Sequence, residues 1–377
     1  MSKILNKKFL LVLGIAALIG SFFVAVPASA KPPFVGVANQ WLGNDWNAFG
    51  LTSIEARFKE LGIKYQSTNA MGDTSRQIAD VENFITMGAD AIIIKGGLGD
   101  AFRDVAKKAY DKNIPVVTVE MMLPYAVSNV MTDNWTGSTL MGNWTVQMMR
   151  GSGKMIIMDT VGWHPLEVRK MVQKTCVHHW PIEIVSEHET GVDAPIENSY
   201  NIVKSVLRAH PDLKLVFATW GLPMVGAYKA VKEMGLRDQV IVAGTDSDRP
   251  VLKVMAAEDA PRMACMGARP TMLGYIAANL VEQAIKIGDV KKAKEALLPE
   301  VFAPLPMVTN VYPKKDFPQI ATSTSGAIAY DLNGLWNEQY LSGKYGIKTY
   351  KRPYDATEIH RYWSKKIYGE DFTPVQR

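Results

Sequence analysis

From residue 34 onward, short apolar runs alternate with amphipathic stretches over most of the 377 residues, and this alternation constrains the fold more than any other feature. Strand-like runs fall at 34–38, 91–95, 116–119, 154–158, 182–185, 215–218, 240–243 and 262–266. They are short, continuous and rich in Val and Ile, the composition of parallel strands buried on both faces. Between them lie helical patterns. In 73–87, Ile78, Val81, Phe84 and Ile85 share one side behind an Asp73/Thr74 cap signal. Ile202, Val203, Val206 and Leu207 do the same within 195–210, and Pro223 opens a segment that stops at Gly235. Such alternation predicts an α/β fold with a doubly wound parallel sheet. About 345 residues exceed one core, so two such lobes are expected.

The first thirty residues stand apart. Lys3, Lys7 and Lys8 precede an apolar run over 9–26 that ends in Pro27-Ala28-Ser29-Ala30. A charged start, a greasy middle and a small-x-small end are the parts of a secretory signal peptide, expected to be cleaved after Ala30. The rival reading is an uncleaved anchor, but the run falls short of the roughly 20 residues of a span. No cysteine follows to take a lipid, and no twin arginine is present. The predicted location is the periplasm.

This segment also distorts the charge. The 42 basic and 37 acidic residues include three lysines and no acid within the first thirty, so the remainder is close to neutral. A basic precursor is therefore no footprint of nucleic acid. Cys176 and Cys265 fit either a disulfide or two buried thiols.

Motifs for chemistry fail on inspection. Arg150-Gly151-Ser152-Gly153-Lys154 has phosphate-loop glycines, but they lie between a helix and a strand, and Met155 stands where Ser or Thr is needed. Lys95-Gly96-Gly97-Leu98-Gly99-Asp100 lacks dinucleotide spacing and reads as a strand-to-helix loop capped at Asp100. The six histidines form no metal framework, and neither a nucleophile elbow nor a cysteine-protease signature occurs. No enzyme, cofactor or metal is expected. The Asn-Trp-Thr triplets at 134 and 143 match a glycosylation acceptor, idle behind a bacterial-style signal.

Aromatic and polar residues cluster instead at the carboxyl ends of strands, where open α/β sheets bind ligands. Trp41, Asn44, Asp45 and Trp46 follow the first strand, and Glu120 the strand at 116–119. Trp163 and His164, Trp220, and Asp246 follow later strands. Indole rings can cover the C–H faces of a sugar while carboxylates and amides fix its hydroxyls.

The order of these segments resembles the ribose-type (type I) periplasmic binding proteins of ABC importers. The resemblance runs from about 34 to 311 and is carried by several stretches. They are Phe34-Val35-Gly36-Val37 with Asn44-Asp45-Trp46-Asn47, a second strand from Ile63 onward, Ala91-Ile92-Ile93-Ile94, Asn113-Ile114-Pro115-Val116-Val117, Thr132-Asp133-Asn134, and Val242-Ala243-Gly244-Thr245-Asp246. It implies two lobes joined by a three-strand hinge and closing on one small molecule. The N-lobe would hold 34–133 plus about 269–305, and the C-lobe about 134–268 plus 306–311. The segment 312–377, rich in Tyr, Trp and Lys, would be an extension packing on the body.

By the resemblance, Asp246 matches the pocket aspartate and Trp46 an aromatic wall. Glu120 replaces an aspartate and Met121 an arginine; Trp220-Gly221 stands for Asn-Asp, and Ala268 or Arg269 for a glutamine. Met121, Met122, Met224, Met263 and Met266 are expected near the same edge, suiting a less polar ligand. The expected function is binding of a sugar, polyol or similar small molecule for delivery to an inner-membrane ABC permease, with Arg269 among the polar contacts. A chemoreceptor or sensor kinase is a further expected partner, and nucleic acid is not. The alternatives are a more apolar or aromatic solute, or a ligand-presenting receptor.

Overall fold

The computed structural model describes residues 31–97, 99–303, 305, 307–311 and 329–331. The expected signal peptide and nearly all of the expected C-terminal extension lie outside the described residues. The first sheet contains β1 (Phe34–Asn39), β2 (Lys64–Asn69), β3 (Ala91–Lys95), β4 (Val116–Val119), β5 (Ser128–Thr132) and β11 (Glu300–Ala303). Their order is β11-β5-β4-β3-β1-β2, with every pairing parallel.

The second sheet contains β6 (Gly153–Asp159), β7 (Ile182–Glu189), β8 (Leu213–Ala218), β9 (Ile241–Thr245), β10 (Met263–Met266), β12 (Met307–Thr309) and β13 (Ala329–Asp331). Their order is β13-β12-β10-β9-β8-β6-β7, with only the β10–β12 pair antiparallel. The fold is thus two parallel-sheet α/β lobes. Each sheet reverses its winding direction beside its first strand, between β1 and β3 and between β6 and β8. The loops leaving β1 and β6 open at these switch points, where a crevice forms.

Helices between the strands form where caps and apolar stripes coincide. In the first lobe, α1 (Asp45–Leu61) starts at Asn44, whose side chain accepts from the Asn47 N–H, and α2 (Thr74–Thr86) starts at Asp73 in the same way. Next come α3 (Arg103–Asp111) and α4 (Asn134–Met148), the latter opening the second lobe. The second lobe continues with α5 (His164–Val177), α6 (Pro195–Ala209), α7 (Gly221–Glu233) and α8 (Arg249–Met255). The chain then returns to the first lobe through α9 (Pro270–Ile287) and α10 (Val290–Ala296).

The expected cap at Asp100 is not made. A 3₁₀ turn over Gly99–Phe102 intervenes, α3 starts after Phe102 without a side-chain cap, and Asp100 pairs with Arg103 instead. Both cysteines are free. Cys265 is fully buried beside the Met255 sulfur, and Cys176 on α5 packs near Gly142. From the C-terminal segment, Ala329–Asp331 adds the strand β13 alongside β12.

The chain passes between the sheets three times: from β5 to α4, from β10 to α9, and from β11 to β12. The first and third passages are tied where the Asp133 N–H bonds the Ala303 carbonyl at 2.7 Å.

Close packing against the central strand β1 is the local requirement of the first lobe. A Cβ on Gly36 would lie 2.2 Å from the Phe84 ring. Gly36→Ala should therefore cost about 1–3 kcal/mol by overpacking, read as a lowered midpoint in urea unfolding.

Candidate ligand cleft

A cavity of about 70 Å³ lies between the lobes at the carboxyl edges of both sheets. Of the residues expected at the site, it gathers Trp41, Asn44, Trp46, Glu120, Trp163, Trp220 and Asp246. Asn47, Gly96, Thr160, Leu166, Arg169 and Val192 join them. Asp45, His164 and Arg269 stand outside this lining. Asp45 is engaged across the cleft, His164 begins α5, and Arg269 immediately precedes α9.

The anticipated methionine wall is absent. Met121, Met224, Met263 and Met266 are fully buried in the lobe cores, and Met122 points to solvent. A long side chain just past a strand end can turn into the sheet's own core, and Met121 does so against Phe102.

The two acids are held alike. Glu120 follows β4 with φ 58°, and Asp246 follows β9 with φ 74°. Each donates its N–H to the next strand, Glu120 to Val130 at 2.9 Å and Asp246 to Met266 at 2.8 Å. Left-handed backbone costs a non-glycine residue about 1–2 kcal/mol, a strain associated with ligand clamps. Both carboxylates are almost fully buried, and that burial pushes both pKa values up.

Arg169 counters the burial from one side. It is 3 % exposed on α5. Its Nε donates to Asn134 Oδ1 at 2.8 Å, and its Nη1 to the Thr219 carbonyl at 2.9 Å and to Asp246 Oδ2 at 3.4 Å. Asn134 in turn donates to the Thr132 carbonyl, and Thr132 donates its N–H and hydroxyl to Glu120 Oε1. A polar chain thus runs from Glu120 through the first interlobe passage to Asp246. This also assigns Asn134, buried at 2 %, to the passage rather than to a sugar acceptor.

Sequence reasoning missed Arg169, although a signal exists. It shares the buried face of α5 with Pro165, Val168 and Val172, and an arginine on an apolar stripe requires partners.

Lys95 was read as the end of a strand and the start of a loop, without a part in the site. It ends β3, is 1 % exposed, donates to Asn47 Oδ1 at 2.6 Å and lies 4.7 Å from the Trp46 ring centroid. Burial lowers its pKa to about 7, with Glu120 opposing the shift. Asn47 also donates to Asn44, so the first loop and β3 form one unit. Gln77, fully buried, ties that unit down by donating to the carbonyls of Ala38, Lys95 and Gly96.

Aromatic side chains close the cleft from both lobes. Trp41 meets Trp220 edge-on at 6.3 Å between centroids, and Trp220 Nε1 donates to Thr160 at 3.0 Å. Trp46 packs against apolar clusters of both lobes. Gly96, at φ 68°, lets Trp163 approach, since a Cβ there would sit 3.0 Å from the ring. At the rim Arg249 forms a two-pronged pair with Asp45, at 2.9 and 3.3 Å. Three buried polar atoms at the cavity have no protein partner of ordinary geometry: Glu120 Oε2, Asp246 Oδ1 and Trp46 Nε1. Among the described residues, no group of His, Cys, Asp and Glu could hold a metal.

Comparison with known proteins agrees with this geometry. The periplasmic binding protein domain family matches residues 35–289, and the chain belongs to that family. It is a solute-binding protein of the type I fold, not an enzyme. It is 22 % identical over 305 residues to the ribose import binding protein RbsB of Bacillus subtilis, covering 74 % of this chain and 94 % of that one.

Among solved structures, it resembles an ABC transporter solute-binding protein from Agrobacterium vitis with bound allitol. That match has a TM-score of 0.69 and 20 % identity, covering 75 % of this chain and 97 % of the other. A similar match is to a Bacillus halodurans solute-binding protein with bound myo-inositol, with TM-score 0.67, 20 % identity, and 75 % and 96 % covered.

Two measurements test the electrostatics. Arg169→Met should cost about 3–5 kcal/mol, because it strands the buried Asp246 charge; adding Asp246→Asn should recover part of that loss in denaturant titrations. Between pH 7 and 10.5 an unfolded Lys95 holds a proton that the folded residue has released, so stability should rise with pH across that window. Lys95→Met should flatten the rise in melting temperature measured from pH 7 to 10.

Proposed function

We propose that this chain binds one sugar or polyol between its lobes and delivers it to an ABC permease after export through a cleaved signal peptide. The observation that carries this reading is the set of open buried polar atoms, Glu120 Oε2, Asp246 Oδ1 and Trp46 Nε1, in a cleft walled by four tryptophans. Carboxylates accept from hydroxyls, the indole N–H donates to one, and ring faces cover C–H surfaces. The relatives named for ribose, allitol and myo-inositol support the same class.

In this reading Asp45 and Arg249 latch the rim of the closed form, and Asn44 and Asn47 shape the first ligand loop. The lobes would divide at the three passages, near 133, 269 and 305. The closed form is also the one a chemoreceptor or sensor kinase would recognise.

A thermal-shift screen over pentoses, hexoses, polyols and aromatic acids tests the reading. A binder at 100 times its Kd should add about 2.7 kcal/mol of stability. A response to aromatic acids alone would refute it. Trp46→Ala and Asp246→Ala should each weaken a sugar or polyol hit by about tenfold or more in calorimetry.

A further inference from the structure

Strand order sorts the cleft lining into two unlike ends. At one end Glu120 follows β4 and Asp246 follows β9, joined by hydrogen bonds through Thr132, Asn134 and Arg169. Trp46 lies on this side, over Lys95 at the end of β3. The other end is formed where β2 and β7 stop, three strand spacings or about 14 Å across each sheet. There the lobes approach through Gly72 and Val192, since a Cβ on Gly72 would lie 3.9 Å from a Val192 methyl. Trp163, after β6, packs beside Gly96 next to this end.

Open polar atoms sit at the first end. Of the buried polar atoms without a partner of ordinary geometry, those on lining residues are Glu120 Oε2, Asp246 Oδ1 and Trp46 Nε1. A carboxyl group can meet a hydroxyl whether or not it holds a proton, so this holds for either charge state. Asn44 and Asn47 also line the cavity but bond each other.

The far end is walled by Pro165 and Leu166 in the first turn of α5, by Val192, and by the rings of Trp41, Trp163 and Trp220. Its lining hydroxyl is committed: Thr160 Oγ1 accepts from Trp220 Nε1 at 3.0 Å and bonds Thr190 and Gly191. Gln40 Oε1 is open but stands outside the lining. Arg169, one turn along α5 from Leu166, reaches to Thr219, Asp246 and Asn134. Ring faces can cover the C–H surface of a sugar, but the side chains of Leu166 and Val192 offer a hydroxyl no bond. A hydroxyl pressed against them loses its water without replacement, whereas a methyl group gains by leaving water. The apolar character continues toward solvent, where Met71 after β2 and Val161 after β6 are exposed.

We propose that the ligand is a sugar or polyol capped at one end by an apolar group: the methyl of a deoxy sugar, an O-methyl or an S-alkyl. Its hydroxyls meet Glu120, Asp246 and Trp46, and its cap lies against Leu166, Val192 and Trp163. This rests on the sugar-or-polyol reading and narrows it.

Calorimetry on the full chain tests it with matched pairs: D-fucose against D-galactose, L-rhamnose against L-mannose, 5-S-methyl-5-thioribose against ribose, and D-pinitol against D-chiro-inositol. At least one capped member should bind about tenfold or more tighter than its partner. Val192→Thr and Leu166→Asn place a hydrogen-bonding group at the apolar end and should bring that pair within about threefold. If no pair reaches the tenfold ratio in the wild type, the cap falls and the sugar-or-polyol reading stands, whether or not a variant folds. A preference that both folded variants retain overturns the placement of the cap at Leu166 and Val192. Binding by no member of any pair overturns both readings. Cyclohexanol is apolar but for one hydroxyl; its binding as tightly as the best capped sugar would leave the polar end without a role and overturn both as well.

Discussion

A single buried guanidinium organises the cleft. Arg169 reaches from α5 to the Thr219 carbonyl, to Asp246 and to Asn134 at the first interlobe passage. Taking a charge out of water is repaid only when its hydrogen bonds are nearly all made. The position of Arg169 therefore fixes the positions of everything it touches. Through Asn134 and Thr132 the same network holds Glu120, so groups from both lobes share one electrostatic frame. A ligand that meets Glu120 and Asp246 is in contact with the segment about which the lobes must move.

Closure depends on a second kind of contact. The tryptophans supply large apolar area at a small cost in rotamer entropy, while the Arg249–Asp45 pair adds a polar latch at the rim. A half-exposed pair of this type contributes little by itself. In the proposed reading the energy of closing comes mostly from the indoles and from the ligand's bonds to the buried acids, which makes closure respond to occupancy.

The fold was legible where burial is symmetric. β1, β3, β4, β8 and β9 are covered on both faces and read as Val- and Ile-rich runs. β5 hid because its first residues, Ser128 and Asn129, bury polar groups by bonding the carbonyls of Leu298 and Pro299, some 170 residues away. β2 shows no apolar run because it is a half-exposed edge strand with a polar sequence, and only the family resemblance places a strand from Ile63 onward. The cleft was legible through its strand-end tryptophans and acids, since the carboxyl edge is set by topology. Lys95 and Gln77 were overlooked because nothing local distinguishes a buried charged or amide side chain from a solvated one, and Arg169 because only its place on the apolar stripe of α5 marks it.

The sequence by itself determined the alternation of strands and helices, the two-lobed class and the sheet edge at which the cleft residues gather, because these follow from periodicity and chain direction. Only the tertiary structure decided which side chains enter the cleft. It turned four methionines inward, set Asp45 against Arg249 and brought Glu120, Asp246 and Arg169 to one cleft. Rotamers and charge pairing depend on neighbours far away in the chain, and the electrostatic character of the cleft is a property of that assembly.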